Sequence, residues 1–576
     1  MAFGKLIDIL KKQNRPAADL EFVEKAYHFA AQAHQGQKRK SGDPFIVHPL
    51  STATRLAEMQ LDTKTVAAAL LHDTCEDGDC NRSHIKNLFG EEIAFLVEGV
   101  TKLDKIRYKG SERSAESLRK MFLAIGEDIR IVLLKLVDRL HNMETLQYLP
   151  PEKQKRIARE TLEIYAPLAY RLGMSKLSSK LEDLSFPYVY PDEHDWLIRT
   201  TKEKYQTWGK YLERIKPVLV EELLKEEIKF LNVDSRIKHY YSLYRKLLKH
   251  DMDLAKITDI AALRIILTSV EDCYAALGII HKLWPPVPGQ IKDYIALPKP
   301  NGYRSLHTTV FGPQNNLVEI QLRTKEMHEE AEHGIAAHWA YSEYKKDSNK
   351  NRDRRGVSFA DQKQFSWINQ IKEWQKDIEN PDEFLESLKI DFFKDRIFVL
   401  TPKGDVVDLP EGSTPIDFAY HIHTDVGTTA TGAKVNGKMV PLDHKLEVGD
   451  LVEILVQKGR KPSSDWLKFV KSGEARRKIM STIRKVQDEK LFQKHGGEKA
   501  EFKITARDRV GLIRDLTDIF ARQKISIQGM LTDEKNKNYP LINIKATLKN
   551  RRELEKLMLK LKEVKEVKEV GFKLLS

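Results

Sequence analysis

The sequence predicts a multidomain chain: an all-helical first third, an α/β domain, a small β-rich domain, and a C-terminal module of alternating strands and helices. Three observations carry this. Apolar residues recur at helical spacing through residues 1–190, as in "LEFVEKAYHFAAQAHQGQ" and "IRIVLLKLVDRLHNMETLQYL". From 196 to 342, helical stretches alternate with the β-rich runs "AALRIIL" and "NLVEIQLRT". From 500 to 576 the order is strand, helix, strand, strand, helix, strand, which fits a ferredoxin-like module. Between these, "EYKKDSNKNRDRRG" carries almost nothing apolar and opens a linker over 343–388, which continues as an amphipathic helix with Trp367 and Trp374. "DRIFVLTPKGDVVDLPEGST" alternates like two strands joined by a Pro-Lys-Gly turn and opens the β-rich domain, 389–456. A short basic helical segment, 457–496, separates it from the last module.

Composition narrows the class. At 576 residues, three to five domains are expected from roughly 100–200 residues per domain. A net charge of +13 favours polyanionic partners without choosing among nucleotides, RNA and acidic surfaces. Three cysteines, Cys75, Cys80 and Cys273, fit neither a disulfide framework nor a four-ligand zinc site, which favours a reducing compartment. The first residues lack the apolar core of a signal peptide, and no uncharged apolar run approaches the ~18 residues of a membrane span. The expectation is a cytoplasmic protein with no membrane contact.

"ALLHDTCEDGD", residues 69–79, runs an apolar helix into a group of acids around His72-Asp73. Buried carboxylates need a cation or a hydrogen-bond network. His48, beside Pro49 near a helix start, and Asp138, after an apolar helical run, supply further donors from separate helices. A mixed site of two imidazoles and two carboxylates suits Mn²⁺ or a similar six-coordinate ion. Any one of these histidines alone reads equally as a core or capping residue. Together, "RKSGDPFIVHP", "HDTCED" and "VDRLHNMETL" resemble the hydrolase domain of the long RelA/SpoT homologues, enzymes of the alarmone (p)ppGpp. The resemblance implies an all-α HD-type phosphohydrolase, with Mn²⁺ held by His48, His72, Asp73 and Asp138. It also implies that Glu76 and Asp77 activate the attacking water, and that Arg39, Lys40 and Asn142 line the nucleotide pocket. Cys75 and Val137 depart from the family pattern between functional positions.

A second constellation lies downstream. "ITDIAALRII" places Asp259 at the mouth of an apolar strand, and in "LVEIQLRT" Glu319, Gln321 and Arg323 share one face. Such alternation also describes an ordinary half-exposed strand. Arg236, Lys238, Arg245 and Lys246 precede it, and Lys292, Lys299, Tyr303, Arg304 and His307 intervene. Basic residues interleaved with tyrosine beside two carboxylates fit a nucleoside triphosphate with Mg²⁺. These stretches resemble the same family's nucleotidyltransferase-like synthetase domain, which moves the β,γ-pyrophosphate of ATP to the 3′-hydroxyl of GDP or GTP. By resemblance, Asp259 holds Mg²⁺, and Glu319 assists the metal or deprotonates the 3′-hydroxyl. Tyr303 stacks on guanine; Arg236, Lys238 and Lys246 face ATP; Lys292, Lys299 and His307 surround the acceptor. Gln290 stands where bifunctional members usually carry arginine and bears on the choice between GDP and GTP.

Residues 390–456 resemble the β-grasp-like TGS domain of the family, which implies that His423 approaches the CCA end of a deacylated tRNA; a capping role is the ordinary alternative, and His421 is the plainer of the pair. "KITARDRVGLIRDLTDIFARQKISI" resembles an ACT domain, whose Asp508–Gly511 turn suggests an amino acid or other small ligand, with packing or dimerisation as the alternative. The zinc-finger-like module that long members carry between TGS and ACT is missing, which argues against ribosome contact through it. The resemblance therefore implies a bifunctional (p)ppGpp synthetase and hydrolase. A mainly hydrolytic enzyme and a translation-associated RNA-binding factor are the rivals.

Overall fold

The computed structural model describes residues 2–75, 81–104, 121, 124, 127–257, 260–299, 301–337, 396–494, 498–533, 540–548 and 551–575. Glu76, Asp77, Asp259, Trp367 and Trp374 lie outside the described residues. The chain divides into two compact units, Met1–Lys394 and Asp395–Ser576.

The first unit begins with helices α1 (Ala2–Lys12), α2 (Ala17–Ala33), α3 (Val47–Glu58), α4 (Thr63–Leu71), α5 (Arg82–Phe89), α6 (Glu91–Asp104), α7 (Ile129–Glu144), α8 (Pro151–Glu160), α9 (Ala166–Arg171) and α10 (Ser175–Val189). Two are built for full burial. In α4, "TKTVAAALL", apolar residues surround the axis; Asp62 caps it by accepting from Thr65 N at 2.9 Å. Thirteen of the sixteen residues of α7 are buried, including Lys135, Asp138 and His141. Polar groups in such a helix require partners, so α7 marks a site as well as a core.

Helix α11 (Pro191–Lys225) leads into a five-stranded sheet among the described residues. Its strands are β1 (Phe230–Ile237), β2 (Ala261–Leu267), β3 (Pro286–Asp293), β4 (Leu306–Phe311) and β5 (Leu317–Thr324), ordered β1-β2-β5-β4-β3, with only β2 and β5 parallel. Helices α12 (Tyr240–Lys249), α13 (Val270–Leu283) and α14 (Lys325–His333) complete it. Val318, Ile320 and Leu322 enter the apolar core under the sheet, so Glu319, Gln321 and Arg323 take the opposite face, as alternation requires.

The helical part and the sheet meet at two glycines. Gly334 adopts φ +57°, and a Cβ there would stand 2.2 Å from Leu172 O; Gly173 (φ +79°) faces it, and Ile335 N donates to Leu172 O at 3.0 Å. Two backbones approach this closely only without side chains.

In the second unit, β6 (Arg396–Leu400) and β7 (Val406–Pro410) form a hairpin, followed by α15 (Pro415–Ile422), α16 (Thr424–Thr428), β8 (Ala430–Val435), β9 (Lys438–Val440) and β10 (Val452–Val456). Helix α17 (Gly473–Lys494) packs back: Trp466, Val470, Ala475 and Ile479 share a core with Ile416, Tyr420 and Ala430. The basic segment thus completes the β-rich domain's interior, a relation its charge obscured. Asp417 ties them, accepting from Thr414 N (2.9 Å), Lys471 N (2.9 Å) and Ser472 N (2.7 Å), which caps α15 and the approach to α17 with one carboxylate. The last module runs β11 (Glu498–Ala506), α18 (Leu512–Arg522), β12 (Ile527–Asp533), β13 (Leu541–Leu548), α19 (Arg551–Lys562) and β14 (Val567–Leu575), the element order its sequence pattern predicts, with sheet order β12-β13-β11-β14.

Candidate active sites

The first site sits where α3, α4 and α7 converge. His48 occupies the first turn of α3, where Pro49 costs no helical hydrogen bond. His72 directly follows α4, and its Nδ1 donates to Ala69 O (2.8 Å), a carbonyl of the last helical turn. Asp138 lies inside α7. Ligand atoms of His48, His72 and Asp138 all fall within 4.8 Å of one another. Asp73 joins them, with Oδ1 3.1 Å from His72 Nε2 and Oδ2 3.4 Å from His48 Nε2.

The tautomers follow from the partners. Arg39 Nη1 can only donate, and it lies 2.7 Å from His141 Nδ1, which must accept. His48 Nδ1, 2.9 Å from the same atom, must then donate. Both ligand imidazoles therefore carry their proton on Nδ1 and turn an Nε2 lone pair toward Asp73 and Asp138. His72 Nε2 is buried and makes no hydrogen bond among the described residues. Lone pairs meeting carboxylates at 3–4 Å repel unless a cation lies between them, so the donor set fits a divalent metal. Burial pushes His141 down to about 4, with the Arg39 guanidinium adding to it, which keeps it a neutral acceptor. Burial would raise the Asp138 carboxyl, but the Lys135 ammonium beside it holds it well below the usual carboxylate range.

Around this set, Lys135 Nζ donates to Asp138 Oδ2 (2.6 Å) and Asn142 Nδ2 to Asp138 Oδ1 (2.8 Å), while Arg39 Nη2 donates to Asn142 Oδ1 (2.9 Å). A tight turn across Lys38–Pro44, with Gly42 at φ +91°, brings Arg39 inward and leaves Lys40 exposed at its tip. Lys135 and His141 were not singled out from the sequence. The signal was present: 135, 138 and 142 are charged or polar at helical spacing in an apolar run.

The second site spans the polar face of the five-stranded sheet. Register aligns Arg236 with Ala262, Ala262 with Glu319, and Glu319 with Thr309; the next row holds Asp234, Arg264, Gln321, His307 and Lys292. Small Ala262 leaves a furrow between Arg236 and Glu319, two strand spacings or roughly 10 Å apart. His307 Nδ1 lies 2.7 Å from Glu319 Oε1, and His307 Nε2 lies 2.8 Å from the Tyr303 hydroxyl. Burial pushes His307 below its ordinary value despite Glu319, so the neutral ring donates to Glu319 and accepts from Tyr303. Gln321 Nε2 donates to Glu319 Oε2 at 3.3 Å. Lys299 Nζ lies 4.5 Å from the Tyr294 ring centre and 5.2 Å from that of Tyr303. Lys292 and Gln290 are exposed on β3, and Lys246 is half-buried on α12.

Farther along the same face, Arg264 Nε, Arg323 Nε and Arg323 Nη2 are buried without a hydrogen-bond partner among the described residues. Glu332 lies 3.4 Å from Arg264 and 3.8 Å from Arg323. Burial, with Arg264 and Arg236 adding to it, pushes Arg323 down to about 10, so it keeps its charge at neutral pH. Buried donors in excess of acceptors leave room for an anion's oxygens. Arg264 and Tyr294 were missed in the sequence, although Arg264 is the one charge in "AALRIIL".

In the second unit, exposed His423 caps α16 by accepting from Asp425 N (3.2 Å), and His421 faces Glu474 at 3.6 Å. Gly511, at φ +88°, starts α18 after the Asp508–Gly511 turn. No helix among the described residues is long and apolar enough to cross a membrane.

Family models match four stretches: an HD domain over 26–175, a region found in RelA / SpoT proteins over 235–346, a TGS domain over 397–456 and an ACT domain over 496–571. A GTP pyrophosphokinase of Myxococcus xanthus is 49% identical over 84% of this chain and 63% of its own length. A guanosine-3′,5′-bis(diphosphate) 3′-pyrophosphohydrolase of Aquifex aeolicus is 47% identical over 85% of this chain and 68% of its own. A bifunctional (p)ppGpp synthase/hydrolase RelA of Mycobacterium tuberculosis is 45% identical over 83% and 64%. The chain thus spans about two thirds of the length of these curated relatives, and slightly less for the first and third.

Proposed function

The chain belongs to the long RelA/SpoT homologues, and from that premise we propose that it both makes and breaks the 3′-pyrophosphate ester of (p)ppGpp, at separate sites of its first unit. The observation that carries the reading is the convergence of two Nε2 lone pairs and two carboxylates from three helices in a chain that also holds the cationic furrow.

In the hydrolase, His48, His72, Asp73 and Asp138 would hold Mn²⁺, which when bound supplies Lewis acidity at the ester and a more acidic water. Arg39 and Asn142 orient the ligands from behind and offer donors to the nucleotide, with Lys40 at the rim. Glu76 and Asp77 accept the water's proton.

In the synthetase, the 3′-hydroxyl of GDP or GTP attacks the β-phosphorus of ATP; the O3′–P bond forms, the bond to the AMP oxygen breaks, and Glu319 takes the proton. Its two oxygens are aimed by His307 and Gln321, which supports this role. Asp259 would hold Mg²⁺. Arg236, Lys238 and Lys246 receive the triphosphate, with Arg264 and Arg323 farther along the same face. Lys292, Lys299 and Tyr303 receive the acceptor nucleotide. Charge placed in advance carries most of the rate in such a transfer. Deacylated tRNA at His423, a small ligand at the Gly511 turn and a cytoplasmic location complete the reading.

The test is incubation with ATP and GDP in Mg²⁺, followed by the product in Mn²⁺. Formation and then loss of ppGpp is expected. Loss without formation favours a hydrolase alone, and neither activity favours an RNA-binding factor.

A further inference from the structure

Helix α12 carries Lys246, follows directly on Arg236 and Lys238, and so sets the direction of the cations assigned to ATP. It begins without a cap of its own: its N-cap residue, His239, makes no side-chain capping bond. The missing acceptor comes from another helix. Asp183 of α10 takes the Tyr241 N–H on Oδ1 (3.0 Å) and lies 2.8 Å from His239 Nδ1 on Oδ2. A carboxylate at a helix N-terminus satisfies an orphan donor and matches the positive end of the helix dipole.

Two further contacts fix the same segment. The Tyr205 hydroxyl donates to Lys238 O at 2.8 Å while its ring stacks on Tyr240 (centroids 5.1 Å, interplanar angle 7°), and Lys238 N donates to Ile260 O at 2.9 Å. Glu182, beside Asp183 on α10, faces Arg245 farther along α12 at 3.6 Å, but among these residues only Asp183 accepts an N–H at the start of the helix. We infer that Asp183 is a positioning residue for the donor nucleotide: it touches no substrate, but it holds the turn from Lys238 into α12 so that Arg236, Lys238 and Lys246 face one triphosphate. This rests on the synthetase reading above and extends it to a residue of the helical part of the chain.

The test measures Mg-ATP binding by calorimetry and initial rates of both reactions in the full chain. Asp183→Ala should weaken Mg-ATP binding and lower kcat/KM for ATP about tenfold, the order expected for a lost charged cap. KM for GDP and Mn²⁺-dependent ppGpp hydrolysis should hold within about twofold. Asp183→Asn keeps an oxygen for Tyr241 N and should recover most of the loss. Unchanged ATP affinity in Asp183→Ala would overturn the inference, as would an equal fall in hydrolysis or failure of Asn to rescue, since either marks general loosening. A wild-type chain that binds Mg-ATP but forms no ppGpp would overturn the synthetase reading instead, while the binding comparison still decides the role of Asp183.

Discussion

At the residue scale, the two sites should be separable by single substitutions. Asp73→Ala removes one of four donors from the first site and is expected to abolish ppGpp hydrolysis while synthesis from ATP and GDP persists; parallel assays on one preparation check this. Glu319→Gln keeps its hydrogen-bonding shape but not its basicity, and should cut synthesis at least ~100-fold, the usual scale of a general base, with hydrolysis intact. His141 gives a pH signature in the metal-free protein. Its folded value near 4 lies below the ordinary 6.5, so the unfolded chain takes the proton first. Stability present above pH 6.5 is therefore lost as pH falls toward 4, by about 2 kcal/mol between pH 7 and 5. Urea unfolding at the two values should show this loss, and His141→Gln should flatten it. The candidate donors His48, His72, Asp73 and Asp138 were legible in the sequence because histidine and aspartate stand out in or beside apolar helical runs. Their tautomers were not, since these depend on Arg39 and His141 meeting across about a hundred residues of chain.

At the scale of elements, periodicity revealed the helical character of the first third and the two central strands β2 and β5, including the strand face shared by Glu319, Gln321 and Arg323, but not the strands β1, β3 and β4 that carry Arg236, Lys292 and His307. Pairing order was hidden: nothing local says that β2 lies beside β5, and so nothing local puts Arg236 and Glu319 on either side of Ala262. The glycine joint was equally silent, because a glycine needed for close approach looks in sequence like one needed for a turn. Gly334→Ala would put a methyl group 2.2 Å from Leu172 O at a positive φ. The cost should be about 3 kcal/mol or more from strain and overpacking together. A lowered thermal midpoint of the first unit is expected. Gly209→Ala, on open helix surface in α11, should instead be neutral or raise it slightly.

For the whole molecule, a metal that joins α3, α4 and α7 should report on more than hydrolysis. Chelation followed by dialysis should lower the unfolding temperature of the first unit and leave the second unchanged, and Mn²⁺ should restore it. At a hundredfold excess over its dissociation constant the ion adds about 2.7 kcal/mol. Scanning calorimetry on the full chain resolves the two transitions. The second unit holds a different lesson, for anyone who would excise a piece of it. Cutting after β10, where the strand pattern stops, would strand the Asp417 carboxylate without the amides of Lys471 and Ser472 and strip the cover from Tyr420 and Ile416. The smallest fragment expected to stay folded and free of aggregation therefore reaches past Ile479, well beyond the last β-strand of its domain.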